Sequence, residues 1–192
     1  RHFLSKALSI PVTLGSSSQC LDIELNDATF LKSKITCPII EEPRSKLFEK
    51  LDIIQRQTLI NIFNEQTALP KRADLLILTQ PLEELGLNIN RDNQPFFYKQ
   101  LANKLGFFDF YVKPHPRDYS DYTKITSKQK IIQKTFPVEL LNFASIHFDT
   151  ALTYSSTGLE SLICCDNKIA CSKEIVSKSV KQYPYELKEI LR

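Results

Sequence analysis

From Asp74 onward, apolar and polar positions fall into blocks that read strand, helix, strand. LLILTQP (75–81) is an unbroken apolar run closed by Pro81, the composition of a strand covered on both faces. PFFYKQLANKL (95–105) follows at helical spacing, with Pro95 in its first turn and Gly106 as its stop. FFDFYVK (107–113) predicts the next strand, KIIQK (130–134) a short one, and PVELLNFAS (137–145) a short helix opened by Pro137. FDTALTY (148–154) predicts a further strand and SSTGLESLICC (155–165) a helix. KIACS (168–172) predicts a last strand and PYELKEILR (184–192) a closing helix. Strand and helix alternating over short connections predict an α/β domain at 71–192, Rossmann-like, with a doubly wound parallel sheet.

Residues 1–70 read differently. Short strand-like pieces (10–14 and 21–25) alternate with turn clusters, GSSSQ at 15–19 and PRS at 43–45. In SKLFEKLDIIQRQTLINIFNEQ (45–66), Leu47, Leu51, Ile54, Leu59, Ile62 and Phe63 recur near helical spacing behind Ser45 as N-cap, which predicts one amphipathic helix. TALPKR (67–72) ends it and sets the domain boundary. This extension is expected to be part of a truncated acceptor domain, or a segment that forms a homodimer through the apolar face of the 45–66 helix.

Composition narrows the class. An apolar share of 42% and a charged share of 24% are those of a soluble globular protein, and no stretch approaches the 18 apolar residues of a membrane span. Polar residues interrupt the apolar start, RHFLSKALSIPVTLG, so it does not read as a signal peptide. A cytoplasmic location is expected, with peripheral association at the inner face of a bacterial membrane as the variant. The net charge of +3 comes from lysines spread along the chain, which argues against a nucleic-acid partner. Five cysteines, an odd number with no CxxC spacing, read as buried small hydrophobes in a reducing compartment. The chain has no methionine at all, and so reads as a piece of something longer.

In a doubly wound sheet, ligands sit beyond the carboxyl ends of the strands. Three polar motifs fall there: TQPLEELG, KPHPRD and SST. Ser155, Ser156 and Thr157 stand where a strand hands over to a helix, either as a plain N-cap or as a phosphate cradle of hydroxyls and free N–H groups. Pro114 and Pro116 hold His115 in a stiff extended loop. Its imidazole there is either a surface residue of a turn or a fixed donor to a phosphate. Glu139, at the start of PVELL, either complements the helix dipole or accepts from ribose hydroxyls. No metal-ligand motif is visible. All of these motifs converge on one rim, which points to a nucleotide or nucleotide-sugar site.

A strand ending in KPHP, then FPVELL, then a strand ending in SS before a helix, resembles the carboxyl-terminal half of bacterial sialyltransferases. These are glycosyltransferase family 52, acting on lipooligosaccharide, and the related capsule polysialyltransferases of family 38. The resemblance covers roughly residues 74–172 and implies the nucleotide-binding half of a GT-B transferase with two Rossmann domains. Such an enzyme inverts at the anomeric carbon, uses CMP-sialic acid as donor, and needs neither metal nor cofactor. Carried over, His115 contacts the donor phosphate and assists its departure, Lys113 and Pro116 line the cytidine, Ser155 and Ser156 with Thr157 hold the phosphate, and Glu139 holds the nucleoside. The family's acidic motif places a carboxylate directly before glycine, to deprotonate the acceptor. Here the chain reads Glu84-Leu85-Gly86, so Glu84 or Glu83 has to serve, with Asp92, or a residue outside this sequence, as the alternative. Two other readings stand beside a transferase of sialic acid to a cell-surface glycan. One is a related transferase using CMP-Kdo or CDP-glycerol; the other is a non-catalytic nucleotide-binding domain.

Overall fold

The structure is a computed structural model, and it describes residues 20–25, 37–63, 69–172 and 181–182. The strand expected at 10–14, the GSSSQ turn and the helix expected at 184–192 lie outside the described residues. The chain forms two compact units, Arg1–Leu51 and Asp52–Arg192.

In the first unit, β1 (Ile23–Leu25) pairs in parallel with β2 (Ile39–Glu41), Ile23 opposite Ile39. A short helix follows, α1 (Arg44–Glu49), with Pro43 rather than Ser45 at its N-cap. The second unit opens with α2 (Ile53–Phe63). The single helix expected over 45–66 is therefore two, broken at 50–52. The reason is local. The Asp52 carboxylate accepts from the Gln55 N–H at 2.8 Å, and the Gln55 side chain accepts from the Asp52 N–H at 2.9 Å. That reciprocal pair starts a new helix. The apolar stripe is also weaker than its spacing suggests, since only Ile60 is buried while Ile53 and Ile54 are exposed. Phe63 meets Phe136 edge-on, and the Arg56 guanidinium lies over the Phe143 ring.

The rest of the second unit is built on an all-parallel sheet. Its strands are β3 (Arg72–Leu78), β4 (Tyr111–Lys113), β5 (His147–Thr153), β6 (Cys165–Ala170) and β7 (Lys181–Gln182), in spatial order β4-β3-β5-β6-β7. The KIIQK segment contributes a single parallel bridge, Ile131 to Val112, outside β4. With that bridge counted as a strand, the order is 3-2-1-4-5-6, compatible with a Rossmann-like sheet. The expected α/β class with parallel strands is what forms. Leu75, Leu76 and Ile77 on β3 are wholly buried, each stabilising the fold by about 1.5–3 kcal/mol. Helix α3 (Gln94–Lys104) carries Pro95 in its first turn and buries Phe97, Tyr98, Leu101 and Ala102. Gly106, at φ +86°, follows as the stop.

Two expected helices are shorter. Residues 137–145 form a 3₁₀ segment, Val138–Phe143, and 155–165 yields one turn, α4 (Gly158–Ser161). The chain after Ser161 is claimed by the sheet, because Phe148 N–H bonds the Cys164 carbonyl and Cys165 pairs with Phe148. Strand β6 thus begins three residues before the expected 168. Cys164 is buried, and burial pushes its thiol up to about 12, as it does for Cys171. Among the described residues no helix is long and apolar enough to cross a membrane.

Candidate functional site

Register places the motifs. Lys113 pairs with Leu78, Leu78 with Thr153, and Thr153 with Ala170, so the four stand in line across the sheet. Two residues further along each strand come His115, Gln80, Ser155 and Ser172. Lys113 and Thr153 are two strand spacings apart, about 9–10 Å, so His115 and Ser155, which follow them, leave the same carboxyl edge on either side of β3. Chain order reverses between β3 and β5, which makes the gap there the crevice where doubly wound sheets take ligands.

The loop after β4 is braced from several sides. Lys113 is 5% exposed, and its amine donates to the carbonyls of Pro114 (2.7 Å) and Lys134 (3.0 Å). Burial lowers its pKa to about 8, against the pull of the Glu139 carboxylate nearby. Lys113 is thus a strut under the loop, and its charge reaches the rim from below. His115 is half-buried; its N–H donates to Thr79 Oγ1 and its carbonyl accepts from the Asp118 N–H. Its Nδ1 accepts from the Arg117 N–H at 3.1 Å. A neutral ring bound this way carries its proton on Nε2. Partial burial, then the charges of Arg117 and Lys113, hold the His115 pKa below its usual value, so this neutral donor form prevails near pH 7. Pro116 is exposed beside it.

Across β3, Ser155 and Ser156 are half-buried and Thr157 is exposed. Thr157 occupies the N-cap of α4 without a capping side-chain bond. A four-residue helix has little macrodipole, so any anion here is held by N–H groups and hydroxyls rather than by a helix field. The turn itself is pinned by Thr153, whose hydroxyl donates to Leu78 O and accepts from Ser156 N–H. Glu139 is brought alongside by packing of Val138–Phe143 on α4. A Cβ on Gly158 would stand 3.0 Å from Val138 Cγ1, so a larger residue there would press the two segments apart by a few tenths of an ångström. Asn142 staples the same contact, donating to Ser161 O and accepting from the N–H groups of Ile163 and Cys164.

Glu83 and Glu84 lie exposed in the tight turn that follows β3 and ends at Gly86, φ +77°. Glu84 pairs with Arg117 at 3.3 Å, which ties this turn to the histidine loop. Asp92 pairs instead with Lys124. A cavity of about 390 Å³ lies on the outer side of β4, lined by Pro114, Asp118, Tyr119, Tyr122 and the 131–134 segment among others. No expected site residue lines it, so its volume says nothing about the rim crevice, which register and chemistry define. Among the described residues no three His, Cys, Asp or Glu side chains are grouped to hold a metal ion.

A family model described as glycosyltransferase family 52 matches residues 3–173. The chain belongs to glycosyltransferase family 52. A protein of Haemophilus influenzae (strain ATCC 51907 / DSM 11121 / KW20 / Rd), described only as an uncharacterized protein, is 27% identical over 158 residues. That match takes in 82% of this chain and 45% of the relative, so the chain spans under half of its relative's length. No solved structure matches. Family 52 is one of the two families that KPHP and SS resemble.

In this family 52 chain, the groups that hold the motif residues are largely ones the motifs do not contain. Gln94, Tyr122, Thr153 and Asn142 orient the loops, and each stands outside the motifs as a single residue with no motif of its own. Thr79 and Asp118 are the exceptions, since Thr79 opens TQPLEELG and Asp118 closes KPHPRD. An acid three residues beyond a fixed histidine was the signal available for Asp118.

Proposed function

We propose that this chain is the nucleotide-sugar-binding part of a sialyltransferase, moving sialic acid from CMP-sialic acid to a lipooligosaccharide or capsule glycan with inversion at the anomeric carbon. One observation supports the reading: in a family 52 chain, the imidazole loop and a pair of hydroxyls stand at one carboxyl edge of the sheet, on either side of β3 and beside its switch point. In the proposed step the acceptor oxygen attacks the anomeric carbon while Glu84, with Glu83 as its neighbour, takes the hydroxyl proton. The bond from that carbon to the phosphate oxygen breaks, and its electron pair leaves with CMP. His115 Nε2–H and the hydroxyls of Ser155, Ser156 and Thr157 face the growing phosphate charge, which lowers the barrier because these donors are already aimed. Glu139 accepts from the ribose, while Pro116 and the Lys113 segment line the base. A cluster of donors of this kind can do what a metal does elsewhere, so transfer is expected to proceed without one. The reading puts this step in the cytoplasm, with association at the inner membrane face as the variant.

Calorimetric titration with CMP, in wild type and in His115→Ala and Ser155→Ala/Ser156→Ala, tests the site. Wild type should bind, and the variants should bind at least tenfold more weakly. Turnover of CMP-sialic acid, CMP-Kdo and CDP-glycerol in the presence of EDTA then tests donor and metal. Absence of CMP binding would overturn the assignment. Binding without transfer would leave a nucleotide-binding domain, and preference for another donor would redirect the specificity.

A further inference from the structure

Asp118 is 4% exposed, and no cation pairs with it among the described residues. Burying a lone carboxylate is expensive unless hydrogen bonds replace its water. Here four donors do so. Oδ2 accepts from Thr79 Oγ1 (2.5 Å), Gln94 Nε2 (2.8 Å) and Tyr122 OH (2.6 Å), and Oδ1 accepts from the Ser120 N–H (3.0 Å). Every group facing the side chain is a donor, so an amide in its place would aim an N–H at another hydrogen. The shell is specific for the charged acid.

The consequences run to His115. Because Thr79 Oγ1 directs its own proton to Asp118, its lone pairs are left for the His115 N–H at 3.2 Å. The Asp118 N–H takes the His115 carbonyl at 2.8 Å. Both peptide groups of the histidine are thus controlled by one residue three positions on, once directly and once through the end of β3. Gln94 anchors the same carboxylate to α3 and accepts from the Leu82 N–H, so the turn carrying Glu83 and Glu84 hangs from the same hub. The charges around the ring, from Lys113, Arg117, Glu84 and Asp118, come from these same loops.

We propose that Asp118 is a positioning residue for His115: acting through Thr79, its carboxylate fixes the loop that keeps the ring in its Nε2-protonated form at the carboxyl edge of the sheet. The assignment of His115 to the donor phosphate rests on the function proposed above; the positioning itself does not.

The test separates the two. Imidazole ¹⁵N shifts of His115 are recorded in wild type, Asp118→Asn, Thr79→Val and Thr79→Ser, with His147, on the opposite end of the sheet, as internal control. Wild type and Thr79→Ser should show one tautomer, protonated at Nε2. Asp118→Asn and Thr79→Val should show both tautomers in exchange, with His147 unchanged; in Thr79→Val, which keeps the Asp118 charge, the His115 pKa should also move upward. Transfer by these two variants should fall on the order of 10- to 100-fold in kcat, the scale of a slightly misplaced group, while Thr79→Ser stays near wild type. Should Asp118→Asn fail to fold, Thr79→Val carries the test, since it removes the relay and leaves three of the four bonds to Asp118. A single Nε2–H tautomer with unchanged pKa in Thr79→Val overturns the proposal. Loss of the tautomer in a protein that never binds CMP would uphold the positioning and sink the donor reading instead.

Discussion

Substituting Gly158 by alanine tests whether the serine turn and the Glu139 segment are held together by close approach. The added methyl would stand 3.0 Å from Val138 Cγ1, against 3.4–4 Å for an ordinary contact. Val138 sits on a 3₁₀ segment whose own position is set by Asn142, so it cannot retreat freely. Overpacking of this kind costs about 1–3 kcal/mol. Gly158 opens a helical turn and has no positive φ, so alanine also gains up to about 0.5–1 kcal/mol of backbone propensity. The net expectation for Gly158→Ala is a loss of about 0.5–2 kcal/mol. The sign should reverse in a Val138→Ala background, where the clashing Cγ1 is gone and only the propensity gain remains. Urea denaturation of the four proteins closes the cycle, with a coupling of about 1–3 kcal/mol expected between the sites. Additivity within about 0.5 kcal/mol would show that the two turns do not press on each other, and would remove the reason for placing Glu139 beside Ser156. CMP affinity measured on the same proteins should weaken in Gly158→Ala and recover in the double variant.

Four further outcomes follow from the same geometry. His115 has a folded pKa below 6.5, so the unfolded chain binds more protons in that window. Its contribution to stability is present above pH 6.5 and is lost as pH falls toward the folded value; His115→Gln should flatten this slope, and His115→Ala should slow transfer by about 10²–10⁴-fold. Lys113, lowered from 10.5 to about 8, likewise makes the fold gain stability as pH rises from 8 to 10.5. Thermal melts of Lys113→Met should lack that rise. At pH 7 relief of amine burial and the loss of two carbonyl partners act in opposite directions, and only a small shift is expected. Asn142→Ala removes three bonds between the Glu139 segment and residues 161–164, each worth about 0.5–1.5 kcal/mol. A loss of about 2–3 kcal/mol in chemical denaturation checks this.

How much of this was legible beforehand differs from element to element. Strand β3 was plain because Leu75–Leu78 is buried on both faces, which demands an unbroken apolar run. Helix α3 was plain because proline and glycine mark its ends. The break at 50–52 was missed because hydrophobic spacing continues through it, while the Asp52–Gln55 pair that restarts the helix is a polar signal of only two residues. The helix expected after Ser155 shrank to one turn because β5 claims 165–170 as a strand partner, and partner choice is not written in local propensity.

The chain alone determined that KPHP and SST lie at the ends of strands, since apolar runs stop there and proline or hydroxyl residues begin. It also determined the kinds of group on offer: an imidazole, hydroxyls and carboxylates. Only the tertiary structure decided that β3 inserts between β4 and β5, which sets the imidazole loop and the hydroxyls on either side of the carboxyl end of β3. It alone decided that Lys113 turns inward as a strut and that a buried Asp118 holds the histidine loop. The physical reason is that strand order and side-chain partnership depend on which distant segments share a sheet, and sequence neighbours carry no record of that.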